Sequence, residues 1–285
     1  MLRLCAKIYP MNRKRVDKNI IVFDIGGTWF RNGVYTKYGE IIGVSKQPAI
    51  NYKNTKYKTI RELQKKFVAY VKAEVNRINK TYPEKELSRV AISMGAALNA
   101  HTGYILNSGP IWGPNSLPLD LFSELSRVIP YMNISIINDV SAALLREAMD
   151  VKNKSFSKIM LITVSTGIAC RVFDMQKKTI PVDKTYGLQG EIGHLPIRFT
   201  YNGKDLAFRC DCGGESHLNA FCSGRGIEKV LQTTEGKRLS FSGLLQRINN
   251  DDQFAIGILH AVTKPLADII LAALTLDPEI IIIFT

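Results

Sequence analysis

The chain has 285 residues, 46 % of them apolar, and a formal net charge of +13 from 38 Lys and Arg against 25 Asp and Glu. Those values exclude a disordered or fibrous chain and allow more than one core in a globular protein. The basic excess gathers in residues 1–18 (Arg3, Lys7, Arg13, Lys14, Arg15 and Lys18 against Asp17 alone) and again over 53–89, which reads as solvated surface before it reads as a nucleic-acid footprint. The leader over 1–19 has no apolar stretch long enough for a signal peptide or a membrane helix, and is expected to be poorly ordered.

The first element is the apolar run Ile20-Ile21-Val22-Phe23, continuing through Asp24-Ile25 into Gly26-Gly27-Thr28. It predicts a buried strand over 20–25 entering a tight turn, with a second strand over 31–36 closing a hairpin and a third over 41–46. Glycines in that turn let backbone N–H groups approach an anion, the Thr28 hydroxyl adds a donor, and Asp24 can hold Mg²⁺ through water. The same Gly-Gly also serves a plain hairpin turn. A helix over 59–79, a strand over 89–94 and a helix over 119–128 follow. The strand over 134–138 ends at Asn138-Asp139, and the alanine-rich stretch over 140–149 favours helix, so Asp139 falls at a helix N-terminus. Taken singly, that carboxylate is an N-cap worth about 1 kcal/mol. Strands over 158–164 and 168–174 come next, then helices over 221–233, 241–248 and 253–275, and a last strand over 279–284.

Between those strands and helices lie two cysteines and two histidines that suit one metal. Cys210 and Cys212 are separated by one residue before Gly213-Gly214, His217 follows five residues after Cys212, and His194 completes the set. Thiolate and imidazole are the ligands Zn²⁺ prefers, and four protein ligands with no open position make a structural site. A disulfide between Cys210 and Cys212 would close too small a ring without strain.

In order and spacing these motifs resemble the ROK family of sugar kinases (repressor, open reading frame, kinase), within the actin-like ATPase superfamily, over almost the whole chain. Asp24, Gly26, Gly27 and Thr28 match its D-x-G-G-T phosphate loop, Asn138-Asp139 its N-D pair, and Ser165-Thr166-Gly167-Ile168-Ala169 its second phosphate segment, usually G-T-G-x-G. Gly190-Glu191-Ile192-Gly193-His194 is its G-E-x-G-H signature, and Cys210, Cys212 and Gly213 match its C-x-C-G motif, with Ser223-Gly224 also in place. The resemblance implies an α/β, two-lobed, actin-like (ribonuclease H-like) fold with a cleft between lobes and a small zinc knuckle. It implies ATP-dependent phosphorylation of a hexose or amino-sugar hydroxyl, with ATP, Mg²⁺ and structural Zn²⁺. Asp139 would be the general base, Asn138, Glu191, His194, Asn219 and Asn107 would bind the sugar, and Asp24, Gly26, Gly27, Thr28, Thr166 and Gly167 would bind ATP. His194, Cys210, Cys212 and His217 would hold the zinc.

The chain also departs from the family pattern. His217 stands where a third cysteine is usual, Asn219 where a Glu contacts sugar hydroxyls, and Ser93–Asn99 replaces P-G-P-V-D. Ser165, Ala169 and Cys170 occupy positions where glycines are common, and the final strand is not followed by the family's adenosine-contacting turn and last helix.

The expected organisation is a leader over 1–19, an N-terminal lobe over 20–118 with the first phosphate loop, and a C-terminal lobe over 119–285 with Asp139 and the zinc knuckle, hinged near Pro118. The family's repressors carry a helix-turn-helix domain before the first phosphate loop, and fewer than twenty residues precede it here, so nucleic acid is not expected as a partner. A homodimer in the cytoplasm is expected, without a membrane partner, since reduced cysteines beside a zinc site suit the cytosol. The alternative readings are a sugar-binding relative with impaired catalysis and a DNA-associated regulator.

Overall fold

The run Ile20–Ile25 forms β1 and is buried at every residue. A continuous apolar run of this kind suits a strand covered on both faces. The computed structural model describes residues 18–150, 155–236 and 240–284. Apart from Lys18 and Asn19, the leader expected over 1–19 lies outside the described residues. The chain divides into two units, the first comprising residues up to 154 with 177–189, the second 155–176 and everything from 190 onward.

The first unit is built from β1, β2 (Trp29–Tyr35), β3 (Ile41–Pro48), α1 (Ile60–Thr81), β4 (Arg89–Met94), β5 (Ala97–Leu98), β6 (Tyr104–Asn107), α2 (Gly109–Trp112), β7 (Leu119–Asp120), α3 (Leu121–Val128), β8 (Asn133–Asn138) and α4 (Asp139–Ala148). Its main sheet runs in the order β3-β2-β1-β4-β8, antiparallel through the first three strands and parallel from β1 to β4 to β8. Helix α1 starts at Thr59, whose side chain accepts from the Glu62 N–H, and buries Leu63, Phe67, Val71, Val75 and Ile78 on one face. That recurrence of three and four residues is the helical period that makes a packing stripe. Phe67 meets Phe30 of β2 edge-to-face at 5.7 Å. β5, β6 and β7 form a small sheet of their own, which the sequence pattern did not predict because strands of two to four residues carry too little periodicity.

The boundary expected at Pro118 moves. β8 pairs with β4 residue for residue, from Arg89↔Asn133 to Met94↔Asn138, so Asp139 belongs to the first unit and not with the cysteine group. A cut at Pro118 would sever that ladder and strand its backbone donors and acceptors. The segment 177–189 also belongs to this unit, tied through the Ala100 N–H donating to Gly187 O at 3.2 Å.

The second unit contains β9 (Lys158–Val164), β10 (Ile168–Asp174), β11 (Phe199–Tyr201), β12 (Lys204–Leu206), α5 (Leu218–Cys222), α6 (Gly224–Glu235), α7 (Phe241–Asn249), α8 (Gln253–Leu276) and β13 (Ile280–Phe284). β9 lies between antiparallel β10 and parallel β13. Phe221 stacks between Phe199 at 4.7 Å and Phe208 at 4.9 Å, and is fully buried. Burying such a ring contributes about 1.5–3 kcal/mol.

The helix expected over 221–233 is two helices broken at Ser223, which has extended backbone and whose hydroxyl accepts from the Gly226 N–H to start α6. α8 starts at Asp252, whose carboxylate accepts from the N–H groups of Phe254 and Ala255, and packs on the core through Ala255, Ile258, Val262 and Leu266. By length and composition alone α8 is apolar enough to cross a membrane, and 22 % of its most apolar window is buried in the fold.

Candidate active site

β1, β4 and β8 end level. Ile25 pairs with Met94 and Met94 with Asn138, so the residues that follow, Gly26, Gly95 and Asp139, leave the sheet along one edge. The carboxyl ends of neighbouring parallel strands are where open α/β sheets bind ligands, because the loops there diverge. Asp139 is the first residue of α4, where the helix dipole favours negative charge. The cap itself is Asn138, whose Oδ1 accepts from the Ser141 N–H at 3.1 Å while its Nδ2 donates to Ala96 O at 2.9 Å. Asp139 is thus released from the capping role that its position suggested, although its Oδ1 does accept from the adjacent Val140 N–H at 2.9 Å. A Cβ at Gly95 would stand 3.3 Å from Asp139 Oδ2, so the glycine keeps the carboxylate uncrowded.

The Gly26–Thr28 turn closes the β1–β2 hairpin through the Gly26 N–H donating to Trp29 O at 3.1 Å. Gly27 is required by packing: a Cβ there would be 2.9 Å from Pro110 Cβ. Asn51, 3 % exposed, donates from Nδ2 to Gly27 O at 2.7 Å and holds the turn from outside. Thr28 is exposed. The Asp24 side chain is buried and paired with Arg31 Nη1 through one carboxylate oxygen at 2.8 Å. Asn107 is exposed at the end of β6, opposite Ala97.

In the second unit, Ser165–Gly167 is the turn of the β9–β10 hairpin, with Ile168 opposite Val164. Thr166 is exposed and the Ser165 N–H donates to Gly167 O at 2.9 Å. Gly190 sits against β10 with φ +67°, accepting from the Cys170 N–H at 2.9 Å, and a Cβ on it would be 2.1 Å from Cys170 O. Gly190→Ala is therefore expected to cost about 2–4 kcal/mol, from left-handed strain and overpacking together. Urea unfolding of the variant beside the parent checks it, and an unchanged midpoint would remove the close approach as the reason for this glycine.

Glu191 follows, with Oε1 bound by Arg171 Nη2 at 2.7 Å, and the Arg171 Nη1 donates to Cys170 O at 2.7 Å. The guanidinium is 4 % exposed and fixes one carboxylate oxygen. Asn219 turns towards the hairpin, where its Oδ1 accepts from the Ile168 N–H at 2.6 Å.

His194 ends a single turn of 3-10 helix over Ile192–His194. Its ligand nitrogen lies with the Sγ atoms of Cys210 and Cys212 and a nitrogen of His217, all within 4.8 Å of one another. Cys212 Sγ is 3.1 Å from His217 Nδ1, and Cys210 Sγ is 3.8 Å from His194 Nδ1. Tetrahedral zinc at ordinary bond lengths puts sulfur and nitrogen about 3.5 Å apart, so the group fits that ion. The knuckle folds around the Gly213 N–H donating to Cys210 O at 2.9 Å and the Cys210 N–H donating to Gly214 O at 2.8 Å. A Cβ on Gly214 would be 2.3 Å from His217 Cε1.

Desolvation, and then His217, lower the His194 pKa against the opposing Glu191, which favours the neutral imidazole that binds metal. Cys170 and Cys222 lie outside the group, their thiols pushed up by burial to about 11 and about 12.

The ROK family profile matches residues 20–284. The chain belongs to the ROK family. It is 34 % identical over 278 residues to 2-epi-5-epi-valiolone 7-kinase of Actinoplanes sp., covering 92 % of this chain and 75 % of that one. It is 24 % identical to N-acetyl-D-glucosamine kinase of Pasteurella multocida, over 92 % of this chain and 82 % of that one. A ROK family glucokinase from Streptomyces griseus, solved in complex with glucose and AMPPNP, shares the fold at a TM-score of 0.63 and 16 % identity, over 93 % of this chain and 83 % of that one. The expectation of an ATP-dependent sugar kinase agrees with these relatives.

Among ROK motif residues, the first phosphate turn, Asn138 and Asp139 come together in the first unit. The second phosphate turn, Glu191, His194, Asn219 and the cysteine–histidine group come together in the second. Arg31, Asn51 and Arg171 were missed as site residues. Two basic residues opposite Asp24 and Glu191 could have been noticed only with strand register in hand, because each pairing needs the ladder or the fold-back that aligns it.

Proposed function

We propose that this ROK protein transfers the γ-phosphoryl group of ATP to a hydroxyl of a sugar or a sugar-like cyclitol, with Asp139 as general base. The level ending of β1, β4 and β8, which puts Asp139 on the same sheet edge as the Gly26–Thr28 turn, is the observation that carries this reading. As the hydroxyl oxygen bonds to the γ-phosphorus, the bond from that phosphorus to the β,γ-bridging oxygen breaks and ADP leaves. The hydroxyl proton passes to the Asp139 carboxylate, which suits the task because the hydroxyl becomes acidic only as that bond forms. Mg²⁺ accompanies the nucleotide and spreads its charge, while the two glycine-containing turns supply backbone donors.

The ROK pattern makes Glu191, through the oxygen that Arg171 does not bind, Asn138, through its remaining amide hydrogen, His194 and Asn107 the sugar contacts of this reading. Zn²⁺ in the group of His194, Cys210, Cys212 and His217 would be structural, since four protein ligands leave it no open position. One imidazole nitrogen of His194 would then be fixed by metal and the ring held rigid for the substrate. ATP as cosubstrate and thiols without disulfides among the described residues support a cytoplasmic setting. A homodimer is part of this reading.

Coupled ADP release with MgATP tests it against a panel of hexoses, acylated amino sugars and seven-carbon cyclitols. Release that depends on one class of polyol is expected and names the substrate. Absence of release with every polyol, from folded protein holding zinc, would leave a sugar-binding relative without turnover.

A further inference from the structure

The Ser165–Gly167 turn is fastened from one side by a single short stretch of chain. The Ile168 N–H donates to Asn219 Oδ1 at 2.6 Å, and the Gly224 N–H donates to Ser165 O at 2.8 Å. Asn219 and Gly224 are themselves linked, because the Ser223 hydroxyl donates to Asn219 O at 2.6 Å. Within the turn the Ser165 N–H is spent on Gly167 O, which leaves Thr166 and Gly167 as its other backbone donors. Gly193 presses on the same amide: a Cβ there would lie 2.2 Å from Ile168 O and 2.5 Å from both Nδ2 and Oδ1 of Asn219. The amide therefore sits between the G-E-x-G-H segment and the hairpin, with its acceptor aimed at the hairpin backbone.

We propose that Asn219 is a positioning residue for the second phosphate turn, and not the sugar contact that its place in the ROK pattern suggests. Clamping Ile168 and Ser165 on one side sets the direction in which the Thr166 and Gly167 amides face a phosphate. A turn held in its binding geometry before the anion arrives does not have to be ordered by it. This role rests on the kinase reading, in which Ser165–Gly167 meets nucleotide phosphate. It predicts that damage to Asn219 falls on the nucleotide side of the kinetics.

The test measures KM for ATP and for the polyol separately, with MgADP binding by calorimetry as a readout that needs no turnover. Asn219→Ala removes the acceptor and is expected to raise KM for ATP and weaken MgADP on the order of tenfold, with KM for the polyol within about twofold, the scale of one lost hydrogen bond. Asn219→Asp keeps an acceptor for the Ile168 N–H, and so keeps the fold, but adds a negative charge beside the turn. It too is expected to weaken nucleotide and spare the polyol. A change in KM for the polyol that equals or exceeds the change for ATP, in either variant, overturns the proposal. If the parent protein releases no ADP with any polyol, the kinase reading fails, and calorimetry with MgADP still decides the role of Asn219.

Discussion

Asp139→Asn is expected to lower kcat by about 10²–10⁴-fold, the usual contribution of a positioned general base, while KM for the polyol stays within about twofold. The substitution replaces one carboxylate oxygen by an amide that cannot accept the hydroxyl proton. The Val140 N–H can still be met by the remaining oxygen, and the helix cap belongs to Asn138. Loss of the charge at the α4 N-terminus costs about 0.3–1 kcal/mol, too little to unfold the first unit. Steady-state kinetics and a thermal melt of the same preparation check both halves of this expectation. Turnover within a few-fold of the parent would remove Asp139 from the mechanism.

Cys210→Ala is expected to empty the metal site and loosen the knuckle. Cys210 is 6 % exposed, and both its sulfur and its backbone participate, the N–H closing on Gly214 and the carbonyl on Gly213. Zinc bound by thiolate and imidazole contributes on the order of 10 kcal/mol of apparent binding free energy in small structural sites, and that energy is available only to the folded ligand set. Without it, Cys212 and His217 hold to each other by a weak thiol–imidazole contact at 3.1 Å. Elemental analysis should find a single equivalent of zinc in the parent and none in the variant, with a lower melting temperature. A variant that kept its zinc and its melting temperature would show that the group is not a metal site.

These two outcomes touch residues whose roles were legible in very different ways. Asp139 was visible as a carboxylate after a strand, and the strand itself was plain from Ile134, Ile136 and Ile137. The cysteine–histidine group was visible from residue type, as Cys and His at short spacing around Gly213-Gly214. Asn219 was visible only as a departure from a pattern, and its partner could not be inferred: Ile168 is 51 residues away and contributes a backbone N–H, which leaves no mark in the amino-acid sequence.

What the sequence determined by itself is local. Apolar runs such as Ile20–Phe23, the helical stripe from Leu63 to Ile78, the glycine turns and the capping residues each act within a few positions, so strands and helices fell close to where their residue patterns placed them. What only the tertiary structure decided is the pairing of elements distant in the chain. β8 joins β4 and carries Asp139 into the first unit, Arg31 neutralises Asp24, Arg171 binds Glu191, and Asn219 turns to the hairpin. Each of those depends on which backbone ladders close and which side chains are then buried together. That is settled by satisfying every buried donor and charge at once, a condition on the whole fold and not on any segment of it.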